Sequence, residues 1–273
     1  MNFSSIWTTK RLILIGAAVL LLLLAGFAAL QLLRPAHTDL AWEHIQNTGT
    51  LRVGMDAAYP PFESLDAKNQ IVGFDVDLAN EIGQRIGIKM AFVNMAYDGL
   101  FDALLIGQVD ILISGIVAAP ELEGKARFSV PYFNAGETLV VKQGSAIHHI
   151  EDMVGQTLAV EIGSGGDVEG RKWQRRLDQV NIIRTQDADS ALIDVINGQA
   201  DAALVDGVTA RIAVGQHPEL VLADNVVDTL MAAAVHPDSQ ILAAQVDDAL
   251  KDILSDGTIG KLIDKWFGPQ HNN

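Results

Sequence analysis

A four-residue strand opening occurs twice in this chain, and it constrains everything around it. Gly107-Gln108-Val109-Asp110 leads into Ile111, Leu112 and Ile113; ninety-one residues later Gly198-Gln199-Ala200-Asp201 leads into Ala202, Ala203, Leu204 and Val205. Short apolar runs introduced in this way are typical of strands buried on both faces in parallel sheets. Five residues past each Asp the strand ends, at Gly115 in the first copy and at Asp206 in the second. Ligands of open α/β sheets gather beyond the carboxyl ends of the strands. Two such sheets facing each other bring Gly115 and Asp206 to opposite walls of one cleft.

The rest of the chain supplies both sheets. Thr50 to Val53 begins a βα unit whose strand ends at Gly54-Met55-Asp56. The prolines of Tyr59-Pro60-Pro61 mark Ala57 to Phe62 as a turn. Leu78, Ile82 and Ile86, spaced by four, predict a helix over Asp75 to Ile86. A strand at Lys89 to Val93 and a helix at Leu100 to Leu105 complete a β-α-β-α-β order, which argues for a parallel, doubly wound sheet. Thr157-Leu158-Ala159-Val160 echoes Thr50-Leu51-Arg52-Val53 and starts a second unit. In that echo Gly163-Ser164-Gly165-Gly166 follows where Asp56 and its turn sat. A helix at Asp167 to Leu177, a strand at Asn181 to Arg184 and a helix at Ser190 to Asn197 follow. Leu230 to Val235 reads as one more strand, and helices at Ser239 to Ser255 and Thr258 to Phe267 close the chain. Two similar halves suggest two lobes around a cleft that closes on small ligands.

Composition excludes several functions. The chain has no cysteine, hence no disulfide framework, thiol nucleophile or Cys-based metal site. Residues 35 to 273 carry 34 acids against 16 bases, a formal charge of −18, the wrong sign for a nucleic-acid partner. Such acidity serves solubility and attracts cationic solutes. His148-His149 read as solvated, and no metal or other cofactor is expected. Leu12 to Leu30 is an unbroken apolar run preceded by Lys10-Arg11. It is longer than a usual signal core and close to the length of a spanning helix. An anchor over residues 12–33 is the expectation, a cleaved signal the alternative. Either way Lys10 and Arg11 stay in the cytoplasm and all that follows Arg34 is extracytoplasmic.

Several motifs, in order, resemble one family. They are Asp56-Ala57-Ala58-Tyr59-Pro60-Pro61-Phe62, Gly73-Phe74-Asp75-Val76-Asp77-Leu78, Ser114-Gly115-Ile116, Pro131-Tyr132-Phe133 and the terminal Asp256-Gly257-Thr258-Ile259 with Lys265-Trp266-Phe267-Gly268. Together, over roughly residues 49 to 268, they resemble the extracytoplasmic solute-binding proteins of ABC importers for polar amino acids. The resemblance implies two α/β lobes joined by two crossover strands. Residues 1–34 hold the tail and anchor or signal segment, and 35–48 a linker. The large lobe takes 49–138 and 231–273, and the small lobe 139–230. Asp56 and Tyr59 then fall on the large-lobe wall, Tyr97 where an aromatic packs on the ligand, and Ser114 and Gly115 where backbone groups meet it. Ser164 and Gly165 fall at a helix start that receives an anion, and Asp206 where a carboxylate holds the ligand ammonium. Asp206 read by itself also fits a helix N-cap.

One departure stands out. Where the family reads Thr-x-Thr-Pro-Glu-Arg, with the Arg clamping the ligand's α-carboxylate, this chain reads Val117-Ala118-Ala119-Pro120-Glu121-Leu122. Leu122 stands at the Arg and Val117 at a helping hydroxyl. An aliphatic side chain cannot replace a bidentate Arg–carboxylate pair. Glu161 adds an acid where several members have a base, and Lys125 or Arg127 would have to swing in to compensate. The expected ligand is an amine or other cation without a free α-carboxylate. The expected protein is not an enzyme. It binds a small solute, acts as a monomer and hands its ligand to an ABC importer permease. Alternatives are a membrane-anchored sensing domain, and a prephenate-type dehydratase with a catalytic carboxylate near Asp167.

Overall fold

The computed structural model describes residues 39–122 and 124–270. The apolar run 12–30, and with it the anchor or signal segment, lies outside these residues. Among the described residues no helix is long and apolar enough to cross a membrane.

The chain enters through α1 (Leu40–Thr48) and β1 (Thr50–Met55), then three short strands, β2 (Ala58–Tyr59), β3 (Glu63–Leu65) and β4 (Ile71–Val72). Next come α2 (Phe74–Ile86), β5 (Lys89–Asn94), α3 (Leu100–Leu105), β6 (Ile111–Leu112), β7 (Arg127–Phe128) and β8 (Phe133–Asn134). The second sheet is built from β9 (Glu137–Lys142), β10 (Thr157–Glu161), β11 (Asn181–Thr185), β12 (Ala202–Asp206) and β13 (Leu220–Asn225). Its helices are α4 (Gly165–Arg176), α5 (Ala188–Asn197) and α6 (Gly207–Gln216). The chain returns through β14 (Leu230–Met231) and β15 (Ala234–Val235) and ends in α7 (Gln240–Ser255) and α8 (Thr258–Phe267).

Two five-stranded sheets, ordered β5-β1-β6-β15-β7 and β11-β10-β12-β9-β13, form the two lobes. Three strands of each run parallel in the expected way, but neither sheet is wholly parallel: β15 lies antiparallel to β6, and β9 antiparallel to β12. The cause is the crossover. A chain arriving from the other lobe enters at the carboxyl edge of the sheet and must run down it. Glu137, the first residue of β9, accordingly pairs with Asp206, the last of β12.

Leu230 to Val235 divides between two roles for the same reason. Leu230 and Met231 pair with Asn134 and Phe133 in the crossover, whereas Ala234 and Val235 pair with Leu112 and Ile111 in the first sheet. Asn134 braces the crossover: its Oδ1 accepts the Gly136 and Thr229 N–H groups, both at 3.0 Å, and its Nδ2 donates to Asp228 at 2.7 Å. Ala58 and Tyr59 are strand, not turn, pairing with Ser64 and Glu63. The residue before a proline is pushed to extended backbone, which suits a short edge pairing.

The repeated strand opening has a structural purpose in both lobes. Asp110 accepts the Arg52 N–H at 2.8 Å and returns its own N–H to the Arg52 carbonyl at 2.9 Å. Asp201 treats Thr157 in the same way, at 2.8 and 2.9 Å. Each Asp thus fastens the start of its strand to the central strand beside it. This equates Arg52 with Thr157 and Asp56 with Glu161. The echo of Thr50-Leu51-Arg52-Val53 in Thr157-Leu158-Ala159-Val160 is therefore two residues out of structural register.

A cluster of aromatic rings closes the floor of the large lobe. Phe62 packs edge-on against Phe74, Phe133 and Phe267, with centroids 5.9, 5.0 and 5.5 Å away. Phe62 and Phe74 are fully buried. Rings of this size dominate the burial energy of a core, so the short strand carrying Tyr59 rests on this packed cluster.

Candidate functional site

A cavity of about 540 Å³ opens where the carboxyl ends of the two sheets face each other. Its large-lobe wall includes Asp56, Tyr59, Tyr97, Ser114 and Gly115, and Asp206 comes from the small lobe. Met231 and Thr229 of the crossover complete it beside Val117. A second depression, about 720 Å³, lies on the outer face of α2 among Asp77, Glu81, Lys89 and Lys265. It touches neither crossover nor the carboxyl edge of either sheet, so the inter-lobe cavity is the candidate.

Asp56 ends β1 and organises the wall behind it. Its N–H donates to Ser114 Oγ at 3.0 Å, and its Oδ2 accepts the Tyr97 N–H at 3.0 Å, holding the turn Tyr97–Gly99 over the cavity. Tyr59 stacks on Phe62, with centroids 5.0 Å apart. Both tyrosines are half exposed, at 44% and 46%, so their rings are available to a ligand. The Tyr59 hydroxyl pKa is raised, first by partial burial and then by the negative charge of Asp206 across the cleft, with Glu63 and Asp75 adding to it.

Beneath Ser114 and Gly115 lies a pair of buried carboxyls. Ser114 Oγ donates to Glu63 Oε1 at 2.7 Å. Asp75 Oδ2 accepts the Gly115 N–H at 2.7 Å and the Tyr132 hydroxyl at 3.0 Å. The remaining oxygens, Glu63 Oε2 and Asp75 Oδ1, are buried without a partner. One proton shared between the carboxyls would satisfy both atoms and remove a like-charge contact. Glu63 is accordingly pushed up to about 9, chiefly by burial and then by the charge of Asp75. Asp75 is also raised by burial, opposed by its bonds from Gly115 and Tyr132. The expectation that the Gly115 N–H meets the ligand needs correction, because that donor is spent on Asp75. Gly115 itself is required: its φ is +55°, and an added Cβ would lie 2.9 Å from the Tyr59 ring.

Asp206 has the helix-capping role foreseen for it and also stands in the cavity wall. Its Oδ1 caps α6 by accepting the Val208 and Thr209 N–H groups at 3.1 and 3.0 Å, while the residue also lines the cavity. The neighbouring base Arg211 turns away: its guanidinium lies 4.8 Å from the Phe133 ring centroid and donates to the Gly207 carbonyl at 3.2 Å.

Leu122, Glu161, Ser164 and Gly165 are not among the residues lining the cavity. Leu122 ends the turn Pro120–Leu122, half-buried, and Lys125 and Arg127 beyond it are exposed, with Arg127 paired to Val235 in β7. Ser164 is the N-cap of α4, its Oγ accepting the Asp167 N–H at 3.1 Å and donating to the Glu161 carbonyl at 2.8 Å. Asp167 is enclosed by Arg184 at 2.6 Å and Arg171 at 3.4 Å. The Gly163 N–H and then these arginines hold it below the usual carboxylate range. Its side chain is fully buried and does not line the cavity.

Sequence reading passed over Glu63, which lines the cavity, and Glu137, which stands beside it. The signal for Glu63 lay in the Pro-Phe-Glu run beside Gly-Phe-Asp. For Glu137 it was an acid opening an otherwise apolar strand. Among the described residues the wall contains the carboxyls of Asp56, Glu63 and Asp206 and no Lys, Arg or His.

Comparison with known proteins agrees with this geometry. The sequence model of the bacterial extracellular solute-binding proteins, family 3, matches residues 51–269. The ABC transporter arginine-binding protein 1 of Escherichia coli (strain K12) is 30% identical over 80% of this chain and 90% of its own length. A solved ancestral cationic amino acid solute-binding protein is 33% identical, covers 82% of this chain and 98% of itself, and superposes with a TM-score of 0.60. An ancestral cyclohexadienyl dehydratase, 28% identical over 82% of this chain and 95% of its own, superposes at 0.71.

Proposed function

From a chain that belongs to the bacterial extracellular solute-binding proteins of family 3, we propose a receptor that closes two lobes on a small cationic solute lacking a free α-carboxylate. It presents that solute to an ABC importer, held at the membrane by residues 12–33. The observation carrying this reading is the cavity wall, with three carboxyls, two half-exposed tyrosines and no basic side chain. An ammonium or guanidinium group gains charge-assisted hydrogen bonds from Asp56 and Asp206 and cation–π contact with Tyr59 and Tyr97. A carboxylate in the same space has no cation to pair with, and burying one unpaired costs several kcal/mol in order of magnitude. Relatives described as binding arginine or cationic amino acids support the cationic part. Leu122 and Val117 support the absence of a carboxylate. Asp56, Tyr59, Tyr97, Ser114, Gly115, Val117 and Asp206 form the contact set in this reading, with Glu63 beneath it.

The test is thermal melting of the full chain with matched ligand pairs: arginine against agmatine, lysine against cadaverine, with glutamine and glutamate alongside. A ligand at a hundredfold its dissociation constant adds about 2.7 kcal/mol, several degrees of melting temperature in a protein of this size. The decarboxylated member of a pair should give the larger shift. A larger shift with the amino acids would show that the carboxylate is held elsewhere.

A further inference from the structure

The start of α4 does not itself line the cavity, but like any helix N-terminus it presents unpaired N–H groups and the positive end of its dipole, which favour an anion nearby. In this chain a carboxyl of the protein stands there already. Glu137 lies against Gly165 and Gly166: a Cβ added at Gly165 would collide with Glu137 Oε1, and one at Gly166 would lie 3.2 Å from Oε2. Gly166 is buried and Gly165 exposed, so the carboxyl reaches the helix start from the β9 side and adds an acid beside it.

Among the described residues the charged groups acting on Glu137 are acids. Across the ladder it is in register with Asp206, which lines the cavity. Like charges directly opposite in a ladder repel. Oε2 is buried and has no hydrogen-bond partner. The second acid acting on it is Glu169 of α4, and the Glu137 pKa is raised first by burial, then by Asp206 and Glu169. A cation held near Asp206 relieves this repulsion, and an anion worsens it.

We infer that Glu137 is a specificity-determining residue: it sets a second carboxyl beside Asp206 and against the start of α4, so the small lobe welcomes an ammonium or guanidinium and rejects a carboxylate. This rests on the amine reading above and adds a second cause to it, independent of the missing Arg at Leu122. Leu122 removes an attraction for carboxylates from the large-lobe side, whereas Glu137 adds a repulsion in the small lobe. Specificity built from an absent attraction and a present repulsion is stronger than either by itself.

The experiment is calorimetric titration of the full-length wild type and Glu137→Gln with arginine and with agmatine, which share the guanidinium and differ in the carboxylate. The quantity read is the ratio of the two dissociation constants, arginine over agmatine. Glu137→Gln keeps size and hydrogen-bonding capacity and removes the charge, and should lower the ratio at least tenfold, mostly through tighter arginine binding. Glu137→Ala is the second variant and should lower it in the same direction. A ratio unchanged in both variants overturns the role given to Glu137. A wild-type ratio below one overturns the amine reading instead, and the change on substitution still reports on Glu137 separately.

Discussion

At the scale of single residues, the least expected feature is the pair of buried carboxyls, Glu63 and Asp75. Both carboxyls have raised pKa values in the folded chain, so their contribution to stability is greatest at low pH and is lost as pH rises through the folded values. For Glu63 that loss runs from the ordinary carboxylate range up to about 9. Melting temperature should therefore fall steadily across neutral and mildly alkaline pH. Glu63→Gln keeps the bond from Ser114, offers an amide donor to Asp75, and should flatten that decline. An equally steep decline in the variant would mean that other groups cause it. Gly115 makes a second residue-scale prediction. Gly115→Ala forces a left-handed alanine, at about 1–2 kcal/mol, and pushes the Tyr59 ring. Binding should weaken by more than the loss in unfolding free energy explains, a comparison that calorimetry and urea titration make together.

At the scale of elements, much was legible from pattern alone. The run from Thr258 to Phe267 is helical over the predicted span, and α2 and α7 bury the stripes Leu78–Ile82 and Leu242–Val246–Leu250. These are local periodicities, and burial follows them directly. Register was harder, because Thr-Leu-x-Val repeats in letters at one offset while the ladder bonds of Asp110 and Asp201 fix another. The short pieces β14 and β15 were hidden for a similar reason: a continuous apolar stretch does not reveal that its halves join different sheets.

The two anchoring aspartates are not equal. Asp110 also takes a two-pronged bond from the Arg52 side chain, at 3.0 and 2.6 Å. Asp110→Ala should cost about 2–4 kcal/mol by urea unfolding and Asp201→Ala about 1 kcal/mol; equal costs would contradict the role given to the ion pair. The turn Pro120–Leu122 gives another test. The double substitution Val117→Thr with Leu122→Arg restores the side chains that clamp a carboxylate and should raise arginine affinity at least tenfold while leaving agmatine little changed. No gain for arginine would place that turn outside the binding surface.

At the scale of the whole molecule, charge and shape agree. Residues 35 to 273 carry a formal charge of −18, which raises the local concentration of cations and speeds their capture at low ionic strength. The cavity lies where the two parallel sets of strands end and the crossover joins them, the place the repeated Gly-Gln-x-Asp opening pointed to. The identity of the wall was less legible. Glu63 and Glu137 come from strand starts that look ordinary in sequence, and the fold's long-range pairings bring the first into the wall and the second beside it. The central claim is that the cleft holds a cation and refuses a carboxylate. Its most direct measurement is the pair of dissociation constants of the full-length wild type for agmatine and for arginine, by calorimetry at one pH and ionic strength. Agmatine at least tenfold tighter is the predicted result; arginine bound as tightly or more tightly would contradict it.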